Sequence, residues 1–202
     1  MEPAPSNRGN KYSRLVRAAS AVFAEQGYAS TRVADIAERA EVGKGTVYEY
    51  FSSKEALLFA VFESINENIT RRMNTVLDED EPTQEQLFNL LRLGAEVITE
   101  QADLQPVVLD FWAASRGSGF EQNYRDAVLA SYVQYRRLVS SFVRDGQKKG
   151  KFRTDVDAEA LATMVVATVD GLGIQHFFDP SVDPRHITEE LGHLLYERLT
   201  TE

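Results

Sequence analysis

Apolar residues recur every three or four positions along almost the whole chain, which is the spacing of one face of an α-helix. No segment shows the alternation of apolar and polar residues that is typical of a β-strand. The pattern predicts an all-α fold of about nine helices without an internal repeat. Three of these helices lie within residues 12–53, and the remaining six fill residues 54–202. The first and seventh helices are expected to end at Gly27 and Gly146, and the expected helix starts include a capping box of Thr83 and Gln86, Asp155 or Asp157 for the eighth helix and Asp183 for the ninth.

The segment 28–58 predicts two short helices joined by a tight turn, followed at once by the start of another helix. In the first of them one apolar stripe is formed by Val33, Ile36, Ala37 and Ala40. The second keeps only Val47 and Phe51 for the core and leaves the rest of its surface free. This is the pattern of a helix-turn-helix, whose second helix enters the major groove of DNA.

The outward residues of this segment have the chemistry of DNA contact. Lys44 supplies a positive charge, Gly45 lets the backbone approach closely, and hydroxyl groups can donate to phosphate oxygens. Ser52 and Glu55 fit a capping box that places Lys54 near a helix N-terminus, where a phosphate is favoured. The predicted DNA-binding residues are Thr31, Arg32, Lys44, Gly45, Thr46, Tyr48, Tyr50 and Lys54. The alternative is a helical corner of an unrelated all-α protein, in which the tyrosines merely pack.

This stretch resembles the DNA-binding domain of the tetracycline-repressor (TetR) family of transcriptional regulators. The matching positions span most of residues 12–60 and are Phe23, Gly27, Tyr28, Thr31, Asp35, Ile36, Ala37, Ala40, Val42, Lys44 to Tyr48, Tyr50, Phe51, Ser53, Lys54, Glu55 and Leu57. Glu41 and Gly43 depart from the family, which usually has glycine and serine there, and Glu49 adds a negative charge. The resemblance implies three helices for DNA and about six for a body that binds a ligand and dimerises.

Charge divides the chain along the same line. Residues 1–54 hold eight lysine and arginine residues against six acids, whereas the remaining 148 hold 14 against 25, within a total net charge of −9. A weakly basic head on an acidic body fits DNA binding by the head. We therefore predict a disordered tip at 1–11, a helix-turn-helix domain at 12–53 and a ligand-binding and dimerisation domain at 54–202.

Composition argues against several other classes of protein. The absence of cysteine leaves no disulfide framework and no thiolate metal site. No apolar run approaches the roughly 20 residues that span a bilayer, and the polar start is no signal peptide. We therefore expect a cytoplasmic protein without a membrane partner.

The last two predicted helices carry more apolar surface than a small body needs, and we expect a homodimer to form through them. The predicted interface residues are Val165, Val169, Leu172, Gly173, Ile187, Leu191, Leu194 and Leu195. The alternative is that both helices simply complete the core of one chain. A dimer would explain how a weakly basic head gains affinity, because two heads bind half-sites about 34–36 Å apart.

A ligand pocket is implied by the resemblance and supported by a body rich in aromatic residues. The candidate ligand-binding residues are Phe62, Phe111, Trp112, Tyr132 and Tyr135, although any one of them can equally be ordinary core. Asp170 interrupts the apolar run of its helix and could face a polar or cationic ligand group. More often such a residue meets a partner across an interface or a backbone group.

Enzymatic and metal sites find little support. His186, Glu190 and His193 have a spacing that could bind zinc, but an ordinary solvated helix face has the same spacing. No phosphate-binding loop, nucleophile elbow or carboxylate pair stands out, so we predict no catalytic residues, no metal and no cofactor.

The predicted function is that of a dimeric transcriptional regulator, a repressor released from double-stranded operator DNA by a small apolar or aromatic effector. The fourth helix, which runs from Lys54 into the body, is the expected coupling element. Two alternatives are a DNA-binding regulator without an effector and a helical small-molecule-binding protein without operator binding. Glu41, Gly43 and Glu49 are the residues that favour the second alternative.

Overall fold

The structure, a computed structural model, describes residues 7–77, 83–100, 102–114 and 121–200, with the side chains of residues 7, 8, 112–114 and 121 outside that description. These residues form nine α-helices and no strand, which confirms the predicted all-α fold. The helices are α1 (Asn7–Ser30), α2 (Val33–Arg39), α3 (Lys44–Tyr50), α4 (Lys54–Leu77), α5 (Gln84–Glu100), α6 (Gln105–Ala114), α7 (Glu121–Lys148), α8 (Ala158–Phe178) and α9 (Pro184–Leu199). A short 3₁₀ helix, Ala102–Leu104, precedes α6.

The chain divides into two compact units. The first consists of Met1–Asn66 and Asp103–Asp126, and the second of Glu67–Ala102 and Ala127–Glu202. The first unit therefore contains α6 and the start of α7 in addition to the three N-terminal helices. Helices α4 and α7 contribute residues to both units.

In the first unit, α1 packs against α2 and α6, and α2 packs against α3. The core includes large side chains with almost no exposed surface, among them Leu15, Phe23, Ile36, Val47, Phe111 and Tyr124. The apolar stripes predicted for the helix-turn-helix are therefore the faces that are buried. The two short helices are held by this packing, because seven-residue helices are marginal in water on their own.

The N-terminus is more helical than the sequence suggests. Helix α1 begins at Asn7, so residues 7–11 are helical and are not part of the predicted disordered tip, whereas residues 1–6 lie outside the described residues. Gly9 weakens this first turn by only about 1 kcal/mol, and the Tyr12 ring lies 5.1 Å from the Phe51 ring, which fixes the helix to the head. Gly27, with φ of +76°, interrupts α1 where a stop was predicted.

Most of the predicted helix starts are correct. Thr83 and Gln86 form the predicted capping box, each backbone N–H donating to the other's side-chain oxygen at 3.1 Å. Asp157 and Asp183 accept backbone N–H groups at the starts of α8 and α9. The predicted capping box at Ser52 is wrong, because the Oγ of Ser53 accepts the N–H of Ala56 at 3.2 Å and α4 begins at Lys54.

The core of the second unit is formed by α5, α7, α8 and α9, with α5 packed against α8 and α9. Gly146 was expected to end the long seventh helix, but α7 continues to Lys148. The physical reason for the glycine is close packing, since a Cβ at Gly146 would lie 2.0 Å from Cδ2 of Phe152. Phe152 in turn packs its ring 5.5 Å from that of Phe142.

Among the described residues, α8 is long and apolar enough to cross a membrane by length and composition alone, contrary to the sequence expectation. Its mean hydropathy is 1.3, and 28% of the apolar window is buried. Core and interface helices of water-soluble proteins share these properties. The apolar surface of α8 is therefore incompletely covered by the described residues of the chain.

Candidate DNA interface and effector residues

Helix α3 presents a polar, exposed face. Val47 anchors the helix in the core, while Lys44, Gly45, Tyr48 and Glu49 are exposed. The ammonium of Lys44 lies 5.8 Å from the centroid of the Tyr48 ring. Thr46 and Tyr50 are half-buried. This face provides a positive charge, hydroxyl groups and an uncovered backbone at Gly45, which are the groups that contact phosphate and base edges.

Gly45 has no packing role in the free protein. A Cβ built at this position meets no heavy atom within 4 Å. Glycine in a helix is unfavourable by about 0.8–1.0 kcal/mol relative to alanine. The bare backbone is therefore compatible with close approach of another molecule and is not required by the fold.

Lys54 and Thr31 make contacts within the head that the sequence did not reveal. The ammonium of Lys54 donates to the carbonyl oxygens of Tyr28 at 2.8 Å, Thr31 at 3.0 Å and Ala29 at 3.4 Å. It also lies 4.4 Å from the centroid of the Tyr28 ring. The buried hydroxyl of Thr31 donates to the carbonyl of Gly27 at 2.8 Å. A phosphate could bind Lys54 only by displacing one of these acceptors.

Arg32 is exposed and occupies the N-cap position of α2, where its backbone N–H donates to Asp35 at 2.9 Å. Arg32 is thus an exposed cation at a helix N-terminus, a position where a phosphate is favoured. Arg39 is paired with Glu25 on the surface, and exposed pairs of this kind contribute little to stability.

Tyr28 connects α1 to α4 and α6 within the first unit. Its backbone N–H donates to Asp110 at 3.0 Å, and its hydroxyl is hydrogen-bonded to the Glu55 side chain. Tyr124 donates to the carbonyl of Glu55 at 3.1 Å. Burial, followed by the hydrogen bond and charge of Glu55, raises the pKa of Tyr28 well above its usual value. Asp110 had no sequence signal, because its partner lies 82 residues away.

The predicted ligand-binding residues fall into separate groups. Phe62 and Phe111 stack in the first unit with ring centroids 3.9 Å apart, and Tyr124 meets Phe111 edge-on at 4.5 Å. Tyr132 and Tyr135 belong to the second unit, where both interact with Asp170. The side chain of Trp112 lies outside the described part of the structure.

The predicted interface residues of α8 and α9 face two directions. Val165, Leu172 and Gly173 are buried, and the structure corrects these three to core positions of the chain itself. Leu191 and Leu195 pack partly against the same core, Val169 lies against Gly94, and Ile187 is half-buried. Leu194 alone among the predicted residues is largely exposed, at 65%.

Sequence reasoning missed a stripe on the opposite face of α8. Met164, Ala167, Gly171 and Phe178 lie on one side of the helix, with Met164 65% and Phe178 74% exposed. Position along the helix separates this stripe from Val165 and Leu172, because each residue advances the helix by about 100°. We call Met164, Ala167, Gly171 and Phe178 the α8 stripe.

Two sequence profiles match the chain. One, described as "Bacterial regulatory proteins, tetR family", matches residues 15–61. The other, described as "BetI-type transcriptional repressor, C-terminal", matches residues 83–199, which is more than half of the chain. The chain belongs to the TetR family of bacterial regulatory proteins.

Similar proteins agree with this assignment. The fatty acid metabolism regulator protein of Bacillus subtilis (strain 168) is 26% identical over 161 residues, covering 79% of this chain and 80% of the relative. The HTH-type transcriptional repressor KstR2 of Mycolicibacterium smegmatis is 28% identical, covering 77% of this chain and 74% of the relative. The crystal structure of a transcriptional regulator from Saccharomonospora viridis in complex with choline has a TM-score of 0.80 and 26% identity, covering 96% and 99% of the two chains.

The TetR family consists of transcription regulators, and this chain is a DNA-binding repressor of that family. The first profile covers the helix-turn-helix and the start of α4. The residues matched by this profile include α3. The polar face of α3 is the face that a helix-turn-helix repressor places in the major groove.

The two departures from the TetR pattern have local structural consequences. Glu41 has φ of +52° at the end of α2, where the N–H groups of Glu41 and Val42 bond back to Glu38 and Ala37. This is a Schellman motif, whose left-handed position favours glycine. Gly43 takes the N-cap of α3 without a side-chain bond. Both departures are tolerated by the backbone geometry of the turn.

Glu41→Gly is expected to stabilise the protein by about 0.5–1 kcal/mol. Removing the left-handed strain of roughly 1–2 kcal/mol outweighs the entropy of roughly 0.4–1 kcal/mol that glycine adds to the unfolded chain. Urea denaturation measures the difference. Glu38→Gly, an exposed change within α2, is the control and should destabilise by about 1 kcal/mol. Equal destabilisation by both glycines would contradict the assigned strain.

Proposed function

We propose that the protein acts in the cytoplasm as a homodimeric repressor that leaves its operator when a small organic molecule binds the body. The exposed polar face of α3 supports operator binding through Lys44, Gly45, Thr46 and Tyr48, and the exposed Arg32 at the start of α2 is proposed as a further contact. Tyr50 stays a predicted contact, whereas Thr31 and Lys54 support the head from within. No catalytic step is part of this proposal.

The exposed apolar surface of α8 and α9 supports the homodimer. The α8 stripe and Leu194 expose large apolar side chains that a second copy of the chain would cover. Within the stripe, Ala167 and Gly171 are small, and a Cβ at Gly171 meets only the Nε2 of Gln175 at 4.0 Å. Small residues allow two helices to approach closely, and a two-fold axis would bring the same surfaces of both copies together.

The similar proteins support a small-molecule effector with an apolar part. One structural relative holds choline, and the FadR protein of Bacillus subtilis, a likeness in fold alone, was solved with stearoyl-CoA. A compound can shift operator affinity only if it binds the two states of the repressor unequally. Helix α4 is the proposed coupling element, since it begins at Lys54 beside α3 and extends to Leu77. The bond from Tyr28 to Asp110 would add α6 to this coupling.

Operator binding is tested by selecting duplex DNA from a random pool with the purified wild-type protein. The selected duplex should bind the protein more tightly than a shuffled duplex by about 10³-fold or more. Enrichment of no sequence would contradict the function and favour a small-molecule-binding protein that does not recognise an operator. Loss of affinity on adding a bound compound separates an effector-controlled repressor from a regulator without an effector.

Gly45→Ala separates DNA contact from folding. The free protein should become more stable by about 0.5–1 kcal/mol, because alanine favours the helix and its Cβ meets open space. Affinity for the selected duplex should nevertheless fall about tenfold or more, a loss of roughly 1.4 kcal/mol or more, because the methyl group stands between backbone and DNA.

Thermal melting and fluorescence anisotropy measure the two effects of Gly45→Ala on the same preparation. Unchanged affinity in the stabilised variant would show that the DNA does not approach the backbone at Gly45. Such a result would place the groove-facing surface elsewhere on α3.

A further inference from the structure

Glu49 is an exposed carboxylate on α3, the helix that a helix-turn-helix places in the major groove. Val47 anchors this helix in the core and has no exposed surface. Each residue turns an α-helix by about 100°, so Gly45 and Glu49 each lie about 160° away from Val47 around the helix axis. They are four residues apart and are therefore neighbours on the face opposite the core. The side of α3 that is turned away from the head thus carries an uncovered backbone followed by a negative charge.

The carboxylate of Glu49 is not engaged by the chain itself. Among the described side chains, none forms a hydrogen bond or an ion pair with it. Lys44, a cation on the same helix, lies about 140° away around the helix axis. Its ammonium is 5.8 Å from the centroid of the Tyr48 ring. The charge of Glu49 is therefore available to a second molecule.

Helix α3 is short enough for Glu49 to reach into the groove together with the start of the helix. The seven residues Lys44–Tyr50 give a length of about 10 Å, whereas the major groove is about 12 Å wide. Thr46 and Tyr48 lie about 100° to either side of Val47, so their hydroxyl groups are on the flanks of the helix. Flanking hydroxyl groups suit the phosphates, and the position opposite the core suits the base edges.

A negative charge on this face opposes DNA binding in general, because DNA carries one phosphate charge about every 1.7 Å along its axis. The same charge is favourable at one kind of base edge. In the major groove cytosine presents only an amine donor, adenine places an acceptor beside its amine, and guanine and thymine present acceptors. An ionised carboxylate accepts hydrogen bonds and donates none. Cytosine is therefore the base whose edge matches Glu49.

We propose that Glu49 determines operator specificity by accepting a hydrogen bond from the N4 amine of one cytosine in each half-site. In a two-fold complex both copies of Glu49 make the same contact, so the symmetry of the operator relates the two C·G pairs. The charge also acts against other sequences, since an acceptor edge at that position would leave the carboxylate unpaired beside the phosphates. The assignment rests on the proposed operator binding by α3 and specifies one of the base pairs that it recognises.

Selection of duplex DNA from a random pool by the wild-type protein, Glu49→Gln and Glu49→Ala tests the assignment. Each half-site selected by the wild type should contain one cytosine whose replacement by any other base lowers affinity about tenfold. Glutamine bonds to N6 and N7 of adenine, so Glu49→Gln should change the preference at that pair from cytosine to adenine. Glu49→Ala should bind all four bases there within about twofold, because the carboxylate contact is gone. All three proteins should agree at the remaining positions.

Glu38→Gln is the matched control for charge. Glu38 is exposed on α2, so this variant removes one negative charge from the same head without changing α3. It should bind every duplex more tightly at low salt, because repulsion from the phosphates falls equally for all of them, and it should keep the wild-type order of bases. If Glu49→Ala also tightens all four duplexes equally, Glu49 is only a repulsive charge and the assignment is overturned. A Glu49-dependent preference for a base other than cytosine would overturn the choice of base.

Folding and operator binding are checked separately from specificity. Because Glu49 is exposed, thermal melting of Glu49→Gln and Glu49→Ala should stay within about 3 °C of the wild type. A large loss of stability in both variants would assign Glu49 to the fold and overturn the proposal. Enrichment of no sequence by the wild-type protein would overturn the operator function and this inference with it. Enrichment of a sequence whose base preferences are all unchanged in Glu49→Ala would overturn this inference alone.

Discussion

Lys54→Met is expected to destabilise the protein by about 1–3 kcal/mol while leaving the salt dependence of operator binding unchanged. Methionine keeps most of the length of the side chain but removes the ammonium that bonds three carbonyls between Tyr28 and Thr31. Thr31 is buried, so its carbonyl would lose a partner that water replaces poorly. Urea denaturation measures the stability, and anisotropy titrations at several salt concentrations measure the slope.

Lys44→Met is the matched control, because its ammonium is exposed and makes no described hydrogen bond or ion pair with other residues. Its stability should stay within about 0.5 kcal/mol of the wild type, whereas the slope of log affinity against log salt should become shallower by about one unit. Lys54→Met would thus lower the free energy of unfolding, and Lys44→Met would change the salt dependence of operator binding. A shallower slope with full stability in Lys54→Met would instead assign that lysine to a phosphate, as the sequence pattern predicts.

The sequence predicted elements whose determinants are local. The apolar stripes of α2 and α3, the capping box of Thr83 and Gln86, and the N-caps Asp157 and Asp183 each depend on residues within one or two helical turns. Periodicity and capping chemistry determine such features regardless of the rest of the fold. The cap of α4 was misplaced by one residue because Ser52 and Ser53 are adjacent and both have capping side chains.

Features set by distant contacts could not be predicted in the same way. The sequence predicted that Gly146 ends α7. In the structure the glycine instead makes room for the Phe152 ring, which packs back against the helix after a turn. The sequence predicted that Lys54 binds a phosphate, although its ammonium donates to carbonyls 23 to 26 residues earlier in the chain. Nothing in the sequence around Asp110 indicated that it accepts a hydrogen bond from the Tyr28 N–H. Long polar side chains have several possible partners, and only the folded chain selects one.

The predicted dimer surface shows the same limitation for apolar residues. A helix that is apolar on most of its circumference does not reveal which face packs within the chain and which packs against a second copy. Charged residues at Val169 or Leu191 would disrupt internal packing, since Val169 meets Gly94 and Leu191 lies against the core of the second unit. Variants at these sites would unfold the chain and say nothing about the dimer.

Leu194→Glu is therefore the variant that should separate the dimer without unfolding it. Leu194 is 65% exposed in the single chain, so a carboxylate there remains solvated in the monomer. In the proposed dimer the same carboxylate would be buried in an apolar contact, at a cost of several kcal/mol. Sedimentation velocity should show a folded monomer. Its affinity for the selected duplex should fall about 10²-fold or more, because two linked heads are replaced by one.

Leu129→Glu supplies the matched control for this prediction. Leu129 is 59% exposed and lies on α7, away from α8 and α9 in the chain, so the same substitution changes charge and apolar exposure equally. It should leave both the dimer and the operator affinity intact. A dimeric Leu194→Glu protein would remove α9 from the interface, and a monomeric Leu129→Glu protein would move the interface to α7. If only Leu194→Glu is monomeric and it loses operator affinity, dimerisation through α9 supplies the second head that a single weakly basic helix-turn-helix needs for tight binding.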